Sequence, residues 1–142
     1  RAEVLIRDDD DGVVEFKDTK KCSVKSGTWH DPYTDKIFHD VKEVDVDHVV
    51  PLENAHESGA WAWSSERRRE YANYLGYNKH LLAVSASENR KKGSKGPDRY
   101  MPPNKAFWCD YVRIFLKIKE DWELEVSEKE GGKIEEILAH CP

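Results

Sequence analysis

Apolar positions change period near the middle of the chain. In the first half they come in short β-branched runs: Val4-Leu5-Ile6, Val13-Val14-Glu15-Phe16, then Val44, Val46 and Val49-Val50. Runs of this kind, separated by turn formers, predict strands. Val4–Ile6 and Val13–Phe16 flank Asp10-Asp11-Gly12 and are expected to pair as a hairpin. Gly27 and Asp31-Pro32-Tyr33 are expected to be turns. The run from Val44 should stop at Pro51, which cannot donate to a sheet ladder.

The second half has helical spacing. Ser64 or Ser65 is placed to cap a helix from Glu66 to Leu75, ending near Gly76. Ser85-Ala86-Ser87-Glu88 has the capping-box spacing, which makes Ser85 the N-cap of a short helix carrying Asn89. After Pro102-Pro103-Asn104, Phe107, Tyr111, Ile114-Phe115 and Ile118 recur on one helical face, with Trp122 following. Ser127 to Glu130 repeats the capping pattern, with Gly131-Gly132 expected to delay that helix until Lys133. The expectation is an α+β fold in one domain over residues 1–142.

Composition narrows the classes. Mean hydropathy is −0.84, and no apolar run approaches the roughly 20 residues of a membrane span, so no membrane partner is expected. No secretory leader is evident at Arg1-Ala2-Glu3-Val4, and the absence of an initial Met leads us to expect a trimmed chain that has lost a targeting segment. A net charge of −5 argues against a protein that coats DNA with its whole surface, but the local field of a groove is what decides binding. Charge is segregated: Asp8 to Asp11 and Glu120 to Glu136 are rich in acid, whereas Arg67-Arg68-Arg69 and Arg90 to Lys95 are basic. The acidic run at Asp8 is expected to be a solvated face. Cys22, Cys109 and Cys141 allow one bridge between the last two or three reduced thiols. No two of them have zinc-ligand spacing. The five tryptophans are expected mainly in packing.

Chemistry concentrates in Asp45-Val46-Asp47-His48-Val49-Val50-Pro51-Leu52 and in Asn89-Arg90-Lys91-Lys92-Gly93. Phosphodiester hydrolysis needs a base to activate water, a metal to hold the phosphate and cations to bind the polyanion. Carboxylate, imidazole, amide and a basic loop supply each of these. Neighbouring strand residues point to opposite faces, so Asp47 and His48 share a site only if the strand ends there. A lone Asp–His pair is most often an ordinary ion pair, and it is the surrounding motif that changes the interpretation.

Together with His80-Leu81-Leu82-Ala83-Val84, these segments resemble the motif of HNH, or ββα-metal, nucleases. Val4 to Asp8, Ser26 to Trp29, Asp31 to Tyr33, Ser58 to Ala60, Pro102-Pro103, Cys109 and Cys141 extend the resemblance to a small, often secreted branch. The resemblance implies a ββα-metal core at about residues 42–95, an N-terminal β-rich layer and C-terminal helices. It implies a low-specificity endonuclease acting on nucleic acid, DNA above RNA, with no obligate protein partner. His48 would be the general base, and Asp47 and Asn89 would hold one divalent ion. Two oxygen donors suit hydrated Mg²⁺. His80 stands where the motif usually has Asn or Gln. It would orient the base, or as a ligand shift preference to Mn²⁺ or another transition ion. Arg90, Lys91, Lys92 and Lys95 would grip phosphates, and Arg7 would touch phosphate or pair with Asp45. Small secreted members pair the cysteine matching Cys22 with one further upstream, which leaves Cys109–Cys141 as the implied disulfide and an extracytoplasmic location as the expectation. The rivals are a non-cleaving nucleic-acid-binding module on the same fold and a phosphodiesterase of small nucleotides.

Overall fold

The computed structural model describes residues 1–17 and 23–142; Cys22 lies outside the described residues. The chain opens on α1 (Ala2–Asp8), followed by β1 (Glu15–Phe16), β2 (Val24–Asp31) and β3 (Lys36–Asp40). These strands form an antiparallel sheet in that order. After a 3₁₀ turn at Val41–Glu43 comes β4 (Val44–His48), which pairs antiparallel with β5 (Leu81–Ser85), Asp47 opposite Leu82 and His48 opposite Leu81. Between β4 and β5 lie α2 (Leu52–Glu57), a 3₁₀ turn at Ala60–Ala62 and α3 (Ser65–Ala72). Then follow α4 (Ala86–Lys92), α5 (Trp108–Asp121) and α6 (Glu128–Leu138). The architecture is mixed α+β with small antiparallel sheets.

The β4–β5 ladder separates two apolar clusters. Val44 and Ala83 pack with Leu5, Val24, Trp29 and Val41 on one side. Leu82 and Val84 pack with the larger cluster of Tyr71, Tyr111, Phe115, Ile118 and Trp122 on the other. β5 is buried along its whole length, so its sequence is a continuous apolar run rather than an alternating one.

The expected N-terminal hairpin does not form. Val4 and Leu5 are both buried while Ile6 is exposed, a pattern a helix allows and a flat strand does not. The helix also brings two side chains to the open edge of β5: Arg7 donates to the Leu81 carbonyl, and Asp8 Oδ2 accepts from Ala83 N at 2.9 Å. That covers an edge otherwise left with unpaired backbone groups. β1 pairs instead with β2, Glu15 opposite Ser26.

Gly27, expected in a turn, lies within β2 at an irregular register. A Cβ there would meet the Trp29 ring and Asp9 Oδ1, both at 2.9 Å. The acidic run is not simply solvated either. Asp9 Oδ1 accepts from Thr28 N at 2.6 Å, Asp10 Oδ2 from His30 N at 3.0 Å, and Asp11 Oδ2 from Thr28 Oγ1 at 2.6 Å. α6 begins at Glu128, not Lys133, because Ser127 and Glu130 complete a reciprocal capping box. That cap outweighs the helix-weakening Gly131-Gly132.

Candidate active site

His48 ends β4, and Ala72 ends α3. His48 Nε2 lies 2.8 Å from the Ala72 carbonyl oxygen. A carbonyl only accepts, so Nε2 carries the proton and Nδ1 keeps the lone pair. Burial is the main force pulling the His48 pKa below its ordinary 6.5; Lys92 adds to this, while the Ala72 carbonyl and Asp47 oppose it. The imidazole is therefore neutral at neutral pH, with its tautomer fixed by the fold.

His48 lines a pocket with Asp45, Val46, Asn73, Leu81 and Asn89. Ser85 accepts from Glu88 N at 3.2 Å to start α4, one turn before Asn89. Asn89 Nδ2 then donates to Asp45 Oδ2 at 3.1 Å. An amide, a carboxylate and an imidazole thus meet at one opening. Asp45 was missed as a site residue by sequence reasoning. The signal was the second carboxylate two residues before Asp47, at the same phase of the strand.

Asp47 turns inward and is 4% exposed. Its Oδ2 accepts from Lys92 Nζ at 2.6 Å and from the Tyr33 hydroxyl at 2.5 Å. Among the described residues no hydrogen bond engages Oδ1. Lys92 is 0% exposed and spends its remaining donors on the carbonyls of His48, at 2.9 Å, and Val49, at 2.8 Å. It therefore lies beneath the motif and not on a phosphate-facing surface, correcting its expected place among the gripping cations. The bond to the His48 carbonyl also ties α4 to the residue that carries the imidazole. Burial pulls the Lys92 pKa down, and Asp47 works to keep the proton on.

His80 is 1% exposed. Its Nε2 lies 2.7 Å from the Tyr71 carbonyl, so it donates to the carbonyl just before the one His48 holds. Tyr71, Tyr74 and Trp122 surround its ring, at centroid distances of 4.6, 5.3 and 6.0 Å, and Nδ1 is buried without a hydrogen-bond partner among the described residues. Burial lowers its pKa to about 4. Two imidazoles thus pin the last carbonyls of α3, groups a helix end leaves unpaired.

The remaining basic residues divide. Arg7 pairs with Asp8, Nε to Oδ1 at 2.8 Å, and not with Asp45. Arg90 and Lys91 open on a different groove, shared with Lys36 and Lys42. Lys91 pairs with Glu88 at 3.1 Å, and Lys95 Nζ donates to the Lys91 carbonyl at 3.0 Å. Cys109 and Cys141 form a disulfide that fastens the start of α5 to the segment after α6. Among the described residues no three His, Cys, Asp or Glu side chains gather into a metal-binding group, and no helix is long and apolar enough to cross a membrane.

The chain belongs to the family of the C-terminal domain of GmrSD restriction endonucleases, whose family model matches residues 7–137, and a nuclease-related role follows. A relative from Arthroderma benhamiae (strain ATCC MYA-4681 / CBS 112371), described as an uncharacterized secreted protein, is 38% identical over 120 residues, 84% of this chain. Those residues are 58% of that relative, so the chain spans less than two thirds of its length. No solved structure matches.

Proposed function

We propose that this domain is a metal-dependent endonuclease of the ββα-metal (HNH) type, with β4, β5 and α4 as the ββα element. It hydrolyses phosphodiester bonds of nucleic acid, DNA foremost, with low sequence specificity. The observation that carries this reading is His48: a neutral imidazole, tied through Nε2–H to the Ala72 carbonyl, in a pocket that Asp45 and Asn89 also line. Its Nδ1 takes a proton from the attacking water, and the fixed tautomer removes the cost of orienting the ring at the moment of reaction. His80 acts through the same helix end, positioning the base.

Asn89 and Asp47 would hold one divalent ion, and Asp45, which lines the pocket beside Asn89 where Asp47 does not, offers a further oxygen. This donor set fits: amide and carboxylate oxygens, few enough to leave the ion largely hydrated, suit Mg²⁺. His80 is buried among aromatic rings and does not line the pocket, so it adds no nitrogen donor there that would favour Mn²⁺ or another transition ion. When bound, the ion supplies Lewis-acid polarisation of the phosphate. Arg90, exposed and unpaired among the described residues, holds a flanking phosphate together with Lys91 and Lys95. Secretion is supported by the relative's description and by the Cys109–Cys141 bridge, which persists in oxidising compartments.

The test is cleavage of supercoiled plasmid in Mg²⁺ and in EDTA. Nicking in Mg²⁺ that stops in EDTA is the expected result. A folded protein that nicks neither DNA nor RNA with any divalent ion would contradict the reading and favour a non-cleaving binding module.

A further inference from the structure

Beside the His48 pocket lies a second depression, lined by Leu52, Ala55, His56, Ala60, Trp63, Arg68, Arg69, Tyr71 and Ala72. Ala72, whose carbonyl holds His48, lines both. The floor is apolar. Its charged or titratable members are His56, Arg68 and Arg69, with no carboxylate among the lining residues. Next to the lining residue Ala60, the turn Ala60–Ala62 carries Trp61, 64% exposed and not itself a lining residue, and α2 opens with the lining residue Leu52, 48% exposed. These are large apolar surfaces left to water next to the proposed reaction centre.

The rim is held in place. Arg68 Nε donates to the Ala60 carbonyl at 3.2 Å and Nη2 to the Trp61 carbonyl at 2.8 Å. Arg68 thus clamps the turn from α3, while among the described residues the Trp61 side chain makes no hydrogen bond or ring contact of its own. Trp63, two residues on, is the packing member of the pair: it meets Tyr71 at 5.7 Å and Trp122 at 5.6 Å, and Arg67 covers its ring. Arg69 is exposed and makes no ion pair among the described residues.

We infer that this depression is a subsite for an unpaired nucleobase next to the scissile phosphate, with Trp61 as its stacking platform and Arg69 holding the adjoining phosphate. The inference rests on the proposed nuclease reading for its substrate class. An aromatic face fits any base, because every base has a π-face. Cations without carboxylates fit the backbone, and the shared Ala72 sets the depression next to the base. A paired base has both faces stacked within its duplex, so the subsite favours single-stranded or frayed substrate.

The test is fluorescence anisotropy in EDTA with a labelled oligothymidine of about twelve nucleotides, and with a chain of the same length carrying abasic sites throughout. Wild type, Trp61→Ala, Trp61→Phe and His48→Ala are compared. Trp61→Ala should weaken oligothymidine binding on the order of 10-fold, and Trp61→Phe should restore most of it. The abasic chain should bind wild type and Trp61→Ala alike. Equal affinity of wild type and Trp61→Ala for oligothymidine, an equal loss on the abasic chain, or no binding to wild type would each overturn the inference. So would a dimer that Trp61→Ala dissolves, since a second copy would then occupy the depression. Plasmid cleavage by wild type together with oligothymidine binding that does not depend on Trp61 sinks the subsite alone; Trp61- and base-dependent oligothymidine binding without cleavage sinks the nuclease reading alone.

Discussion

A single lysine separates two ways of explaining the basic segment after Asn89. By sequence, Lys92 is one of four cations beside a presumed metal ligand. By structure, it is the buried counter-ion of Asp47, closed off by the His48 and Val49 carbonyls. Removing one partner of a buried pair leaves the other charge uncompensated, typically at a cost of about 3–5 kcal/mol. Lys92→Met should therefore lower unfolding free energy by that amount in urea titrations. A phosphate contact would behave in the opposite way, with stability kept and the salt dependence of nucleic-acid binding reduced. His80 makes a second prediction. Its pKa falls from the ordinary 6.5 to about 4 in the folded chain, so between those values the unfolded chain binds the proton and the native one does not. Stability present above pH 6.5 is thus lost as pH falls towards 4, on the order of 3 kcal/mol for this group. His80→Asn, which keeps a donor for the Tyr71 carbonyl, should remove that part of the acid slope in urea midpoints at pH 7, 5 and 4; an unchanged slope would contradict the assignment.

At the scale of elements, what local chemistry determines was legible and what tertiary pairing determines was not. Ser64, Ser85 and Ser127 each cap the helix that their spacing predicts, because a cap needs only neighbours along the chain. The apolar stripe of α5 was equally plain. Val4-Leu5-Ile6, by contrast, has strand-like residues in a helix, because the open edge of β5 needs Arg7 and Asp8 where a helix end delivers them. β5 carries no alternation since both its faces are buried. Of the three residues the motif singles out, His48 and Asn89 line one pocket, whereas Asp47 is buried against Lys92 and Tyr33 and does not line it. What the motif could not give was the division of labour between the two carboxylates. Asp45 bonds Asn89 and Asp47 bonds Lys92; both carboxylates have the same strand phase, so the choice is made by which turn of α4, more than forty residues away in sequence, reaches each.

For the molecule as a whole, the site is a junction of parts. α3 offers two terminal carbonyls to two imidazoles, the larger apolar cluster holds α3 against α5, and a disulfide closes the C-terminal helices over it. The bridged cysteines are 32 residues apart, for which loop-closure entropy gives about 3.7 kcal/mol. Reduction should lower the urea midpoint accordingly while leaving the order of the site intact, and reduced protein of unchanged midpoint would assign the bridge no structural role. The central claim is that His48 is the base. Its most direct test is plasmid cleavage in Mg²⁺ by wild type and His48→Ala at equal concentration, with circular dichroism confirming that both are folded. A positioned base predicts a fall of at least about 10²-fold in rate. Cleavage by folded His48→Ala at the wild-type rate would contradict the account.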